Sequence, residues 1–495
     1  IPGRTKKVIS TDRVEQPFSP RTKRYLSICD IHSQYTARIK EINSSTGATF
    51  IIMKSKLYQV QDEKMKNMEL VMCLRRMRKN SPSLANVNVN FLGGGIHHTV
   101  HDNTVVEGGV FLKTETATTS VYMSQKKVGR MGVKALLRTL AQNPIVQKIG
   151  ISYLPSSNSE EAEDILMAVL QESSHLLCLE VVDIKSNAMM ALSSVLQKFT
   201  SPHTNHGCCA LREIYLTTAS AEPSSQEAAE TLMHTIVCHP SIRALRFKGV
   251  NQVVLQALAS SIQEMSNKAT LAHLCLDSCI SDPQVAATLL SSLRHNTSLK
   301  HVEILHSTIG QAGARALSSS VATVNQSLQS LVLRDCRLGG DIEIAKHMAF
   351  MIRHNTSLHE LNLEQNWIGT EETILIANAL RINRSLVKLQ YRGNFPLVGG
   401  VTSLAEALQD NAYLQLVDIG GMWENQIAFS SSGLAPGGYE ELFYGLELNR
   451  AGRGKVRDPN FAKPDFVELL EHSKDQTHLL YGLLREVPHQ WSKSF

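Results

Sequence analysis

The sequence predicts an α/β solenoid: one curved sheet of parallel strands on the concave side and a helix behind each strand on the convex side. Three observations predict it. Apolar anchors recur at Val146, Leu176, Leu211, Ile242, Leu271, Leu299, Leu328, Leu358, Leu386 and Leu414, at separations of 28 to 35 residues. Each anchor is followed at +3 and +5 by an apolar or aromatic partner, such as Leu274 and Leu276 after Leu271 or Leu389 and Tyr391 after Leu386, an alternation that buries one face of a strand. Between strands lie helical segments rich in small residues, such as 310–317, 374–380 and 401–408, which let stacked helices approach closely. Self-similarity at a period of this length marks an array in which each unit buries its apolar face against the next.

Residues 1–64 read as a basic N-terminal arm and cap, opening with Arg4, Lys6 and Lys7 and interrupted by Pro17 and Pro20. The first 80 residues carry 17 Lys or Arg against 7 acids, although the net charge of the whole chain is only +5. Such an asymmetry fits contact with RNA, an acidic protein surface or a lipid headgroup, or else a solvated tail left from a targeting sequence. The solenoid is expected over 65–422. It opens with a helix at 64–80, where Met68, Leu70, Val71, Leu74 and Met77 fall at spacings of three and four, followed by a strand at Leu84, Val87 and Val89. Residues 93–127 break the pattern with Gly93-Gly94-Gly95 and a Thr/Ser-rich run. They read as a β-hairpin insertion, or as a repeat whose helix has been replaced, since Leu84 and Val146 stand about two repeats apart. Residues 423–495 are expected to form a helical C-terminal cap, with helices near 439–453 and 465–486, covering the open end of the array.

The ten successive matches resemble the ribonuclease-inhibitor type of leucine-rich repeat. The segments Leu448-Asn-Arg-Ala-Gly-Arg453 and Leu479–Pro488 are similar to a C-terminal extension found behind such repeats in unicellular eukaryotes. The resemblance implies the horseshoe fold; it does not fix one function, because the architecture serves inhibitors, GTPase activators, filament caps and innate sensors alike.

Candidate chemistry is sparse. Asn366, Asn394, Cys279 and Cys336 share the place after a strand, where an amide or thiol satisfies backbone groups. His203, His206, Cys208 and Cys209 lie in the longest gap between anchors, and His97, His98, His101 and Asp102 in the irregular segment, but neither spacing matches the usual structural zinc arrangements. No phosphate-binding fingerprint occurs, and no nucleophile stands in a recognisable setting. The expectation is a protein without catalytic residues, cofactor, metal or small-molecule substrate. Nine scattered cysteines favour a reducing compartment, the cytoplasm or alternatively an organelle matrix. No run of about 18 apolar residues predicts a membrane span.

Residues between the buried anchors must point outward and align in columns from strand to strand. The candidate partner-binding residues are therefore Tyr215, Arg246, Lys248, Asp277, Glu303, Arg334, Asn362, Glu364 and Arg392, joined by Arg4, Lys6 and Lys7 of the arm. The functional expectation is a non-enzymatic scaffold that binds other protein subunits within a larger assembly. The alternatives are an RNA-associated or organellar ribosome-associated subunit acting through the arm, and a GTPase-activating protein. The last would resemble the leucine-rich-repeat activators of the nuclear-transport GTPase, whose acidic tail has no counterpart in residues 489–495.

Overall fold

The computed structural model describes residues 86–90, 112–115, 118–121, 148–152, 159–171, 176–200, 210–217, 225–264, 269–420, 438–457 and 476–486. The expected arm, including Arg4, Lys6 and Lys7, the expected helix at 64–80, and the histidine-containing segments at 97–102 and 203–209 lie outside them.

The strands are β1 Asn86–Asn90, β2 Leu112–Glu115, β3 Thr118–Val121, β4 Lys148–Ser152, β5 Cys178–Val182, β6 Glu213–Thr217, β7 Ala244–Lys248, β8 His273–Asp277, β9 His301–Leu305, β10 Ser330–Arg334, β11 Glu360–Asn362, β12 Lys388–Gln390 and β13 Leu416–Asp418. The helices are α1 Ser159–Leu170, α2 Ser186–Thr200, α3 Gln226–Cys238, α4 Gln252–Glu264, α5 Pro283–Ser292, α6 Gly310–Val321, α7 Ile342–His354, α8 Thr370–Leu380, α9 Leu397–Asp410, α10 Tyr439–Arg450, α11 Arg453–Val456 and α12 Thr477–Glu486. Eleven strands, all but β2 and β3, form one parallel sheet in the order β1-β4-β5 and then consecutively to β13. Connections of parallel neighbours need a crossover, and each helix from α1 to α9 supplies one. This is the expected α/β solenoid.

One continuous core runs between sheet and helices, built from the +3 and +5 residues of the strands and the inward faces of the helices. Burying each such leucine or isoleucine stabilises by roughly 1.5–3 kcal/mol. Small residues set the helix spacing. A Cβ added to Gly313 of α6 would stand 3.0 Å from the Ala286 Cβ of α5, so a larger residue there would force the two helices apart.

Two expectations are corrected. The anchors were expected to open the strands, but each strand starts two residues later. Leu271 and Leu299 are buried in the loops before β8 and β9. There the backbone N–H groups of Lys300 and His301 both donate to the Ala272 carbonyl, at 2.8 and 3.0 Å, and the ladder begins only after this shared bond. Secondly, the two-repeat spacing from Leu84 to Val146 holds no intervening repeat among the described residues. β1 pairs directly with β4, Asn86 beside Lys148, while β2 and β3 pair antiparallel with each other as a hairpin outside the sheet.

The turns on both edges are pinned by buried amides. At the loops leading into strands, Asn296, Asn325, Asn355, Asn383 and Asn411 are buried. Asn383 is typical: its Oδ1 accepts from the N–H groups of Ser385 and Leu386, and its Nδ2 donates to the carbonyls of Ile352 and Asn355 in the preceding unit. At the loops leaving strands, Asn366 donates to Leu333 O and accepts from Cys336 N, and Asn394 does the same for Leu363 O and Asn366 N. The residue just before this position takes a left-handed backbone, as at Ser278, His306, Asp335, Gln365 and Gly393. At Gly393, and at the equivalent Gly249, that conformation carries no Cβ penalty.

The last described unit continues the scheme in α10. Asn449 donates to the carbonyls of Asn411 and Leu414, as the loop asparagines do. Arg453 then closes the row: its Nε donates to Asn449 Oδ1 at 2.7 Å and its Nη2 to the Leu408 and Asn411 carbonyls. Burial of this guanidinium lowers its pKa to about 10. α12 packs behind, tied by the Arg457–Glu486 pair. No helix among the described residues is long and apolar enough to cross a membrane.

Candidate interaction surface

Outward side chains stand in three columns, because register is constant from strand to strand. The middle column runs Glu180, Tyr215, Arg246, Cys275, Glu303, Val332, Asn362, Gln390, Asp418. The C-terminal column includes Thr217, Lys248, Asp277, Leu305 and Arg334. The third column lies at the N-terminal ends of the strands: Lys148, Cys178, Glu213, Ala244, His273, His301, Ser330, Glu360, Lys388. Sequence reasoning missed this third column by taking the anchors as strand starts, although the same alternation that marks +4 and +6 as outward marks +2 as well.

Between β4 and β9 the face is built from cross-strand pairs. Lys148 Nζ is 2.8 Å from Glu180 Oε2 and 5.6 Å from the centre of the Tyr215 ring. Burial pushes the Tyr215 hydroxyl up to about 12. Arg246 Nε donates to Glu213 Oε1 at 2.5 Å. Burial opposes the Arg246 charge, but Glu213 outweighs it and holds the pKa above its ordinary value. His273 and His301 stack with ring centres 4.2 Å apart and planes 18° apart. Burial first, and the neighbouring His301 second, hold His273 below the ordinary imidazole pKa. Burial first, and the neighbouring Glu303 carboxylate second, push the Cys275 thiol up to about 12.

Further along, Asp277 gathers three groups. It accepts from Ser278 Oγ at 2.9 Å, lies 2.8 Å from His306 Nδ1 and faces Lys248 Nζ at 3.7 Å. Burial would raise its pKa, yet these partners hold it below the usual carboxylate range. Arg334 Nε donates to Gln365 Oε1, and Arg392 Nε to Asp418 Oδ1, both at 2.9 Å. Asn362 is only 8% exposed, bonded to Gln390 Oε1, the Glu364 carboxylate and the Glu364 N–H. Its amide is thus committed within the sheet, and of this pair only Glu364 is available to a partner.

No three His, Cys, Asp or Glu side chains among the described residues converge as a metal site. Cys279 and Cys336 act as the turn positions require: their thiols donate to Asp277 O and Ile304 O, both at 3.2 Å, and burial pushes them up to about 11 and about 12. None of the described cysteines forms a disulfide.

A strand-and-helix solenoid with buried asparagine rows and an outward concave sheet is an interaction-type repeat array. The repeats are leucine-rich repeats: the leucine-rich repeat family model matches residues 324–342 and 354–371. The chain is similar to "NACHT, LRR and PYD domains-containing protein 14" of Mus musculus, 23% identical over 54% of this chain and 26% of that protein, and of Homo sapiens, 26% identical over 31% and 14%. It therefore spans no more than about a quarter of those relatives. Among solved structures it is similar to the Rad7 and Elc1 complex in yeast (12% identity, TM-score 0.33, 60% of this chain and 74% of that one) and to the TLR13-ssRNA13 complex (12%, 0.34, 66% and 38%).

Proposed function

We propose that the chain is a non-enzymatic scaffold, one subunit of a larger assembly, that holds protein partners on the concave sheet between β4 and β9. The leucine-rich repeat array supports a protein-interaction role. The observation that carries the choice of surface is the in-register patch in which Tyr215 and Arg246, residue types that anchor protein interfaces, are already held by Lys148 and Glu213. Side chains fixed before binding lose less entropy when a partner arrives. Native mass spectrometry of the complex recovered from its source tests this. A stoichiometric protein partner is expected, and it should be lost from the Tyr215→Ala/Arg246→Ala variant while the melting temperature holds. A monomer without partner, or a partner retained by that variant, would sink the assignment.

A further inference from the structure

The edge formed by the loops that lead from helices into strands is basic. Six of these loops between 238 and 415 (238–243, 292–300, 321–329, 353–359, 380–387 and 409–415) contain six Lys or Arg and one acid, Asp410, and the described residues of the seventh, 264 and 269–272, add one acid, Glu264. The opposite edge (248–253, 277–284, 305–311, 334–343, 363–372 and 391–397) contains four Lys or Arg and eight acids. Helix dipoles explain part of this polarity. Arg294, Arg353 and Arg381 close helical turns, where a cation suits the negative end. They do not explain Arg212, Arg243, Lys300 and Arg384, which stand in extended loop beside the buried anchors, beyond the last helical turn.

The asparagine row pins the loops that bear Arg294, Lys300, Arg353 and Arg384, through Asn296, Asn355 and Asn383. Arg243 Nη1 donates to Pro240 O and Arg384 Nη1 to Arg381 O, each at 2.9 Å, which fixes both guanidinium planes. Their Nε and Nη2 atoms, and the whole guanidiniums of Arg212, Arg294 and Arg353, have no acceptor among the described residues, and all five side chains are exposed. Where this edge does hold an anion it is a carboxylate: Asp410 lies 3.1 Å from Arg381 Nε, and Glu486 lies 2.6 Å from Arg457 Nε.

We propose that this edge binds an acidic polypeptide segment, an extended run of Asp and Glu side chains laid along the loops from Arg212 to Arg384. Fixed guanidinium forks match carboxylates bidentately, and an extended chain puts alternate side chains on one face about 6.6 Å apart, within reach of long arginines on neighbouring repeats. A single-stranded nucleic acid needs aromatic platforms for its bases as well. Of the exposed aromatics near these cations, Tyr413 is already occupied by Arg384, 5.6 Å from its ring centre, and Phe350 packs against His354, ring centres 4.5 Å apart. That the ligand is a protein rests on the scaffold reading, to which this adds a second surface.

The test uses the full chain, a fluorescent decaglutamate peptide and a fluorescent U10 RNA, read by anisotropy at low and high salt, with an Arg243→Gln/Arg294→Gln/Arg353→Gln/Arg384→Gln variant whose fold is checked by circular dichroism. Decaglutamate is expected to bind at low salt, to weaken as salt screens the edge, and to lose about tenfold or more in affinity in the variant. The Tyr215→Ala/Arg246→Ala variant should bind it as the parent does, so failure of the concave assignment stays separate from failure of this one. No decaglutamate binding, or binding that the four substitutions leave unchanged, overturns the proposal. U10 bound more tightly than decaglutamate and lost in the same variant overturns it in favour of nucleic acid.

Discussion

The two edges of the solenoid solve one problem, buried backbone at a turn, with unequal tolerance. On the edge leading into strands, asparagine fills the position at Asn296, Asn325, Asn355, Asn383 and Asn411, and Asn449 of α10 bonds loop carbonyls in the same way. On the edge leaving strands the corresponding residues are Cys279, Ser307, Cys336, Asn366 and Asn394. The first edge turns through extended backbone, so two N–H groups ahead and two carbonyls behind must be satisfied by one side chain, and an amide alone offers both two donors and two acceptor lone pairs. The second edge uses a left-handed residue that lets backbone bond backbone, as Ser307 N does to Asp335 O and His306 N to Arg334 O. What remains is served by a single weak donor, such as the Cys336 thiol on Ile304 O or the Ser307 hydroxyl on Leu305 O.

The largest expected effect breaks the stricter edge. Asn383→Ala strands the Ile352 carbonyl and the Ser385 and Leu386 N–H groups, while the Asn355 carbonyl keeps the Ser385 hydroxyl as a donor. At about 1 kcal/mol or more for each of the three unsatisfied groups, a loss of at least about 3 kcal/mol is expected from urea denaturation. A loss below about 1 kcal/mol would mean that the row is not what holds the loops.

Next in size is the exception on that edge. His239 occupies the asparagine position ahead of Ile242, 1% exposed, with Nδ1 accepting from Ser241 and Nε2 buried without an acceptor among the described residues. Burial lowers its pKa from 6.5 to about 4. As pH falls from about 6.5 to about 4 the unfolded chain takes up a proton that the folded chain refuses, so stability declines across that window by up to about 3 kcal/mol and is fully present above it. His239→Asn restores the residue type of the other loops and should flatten this acid limb in denaturation midpoints measured from pH 7 to pH 4. An unchanged acid limb would place the loss elsewhere.

Most of the fold was legible in the sequence because its determinants are periodic: the +3 and +5 apolar residues sit in the core as alternation requires, and asparagine recurs three residues before each anchor from Leu299 to Leu414. Strand starts were misplaced because Leu271 or Leu299 looks the same in sequence whether it opens a strand or seals the loop before one. The segment holding β2 and β3 was half legible: its Thr/Ser-rich run suggested a hairpin, but spacing could not tell a hairpin beside the sheet from a repeat whose helix had been replaced. Of the concave surface, the residues at +4 and +6 were found, whereas Lys148, Glu213, His273 and His301 were not. The commitment of the Asn362 amide to Gln390 and Glu364 was also invisible, because it depends on what lies across the strand, 28 residues away.

On the tolerant edge the effects should be small. Cys336→Ala removes one thiol donor and a little packing, and is expected to cost about 1 kcal/mol. Native Cys336 should react with iodoacetamide only after unfolding, since burial keeps the thiol up to about 12 and out of solvent. Rapid native alkylation would contradict the buried, bonded thiol.

The smallest effect is expected at Arg392, on the same edge but on the open side of the sheet. It pairs with Asp418 at 2.9 Å, yet its side chain is 62% exposed, so screening and the entropy of ordering a long side chain offset the attraction. Arg392→Ala should leave the denaturation midpoint unchanged at ordinary salt, in contrast to Asn383→Ala on the other edge. If both lost stability equally, side-chain burial would not be what separates the two edges. A loss of partner binding without any loss of stability, by contrast, would make Arg392 part of the contact surface.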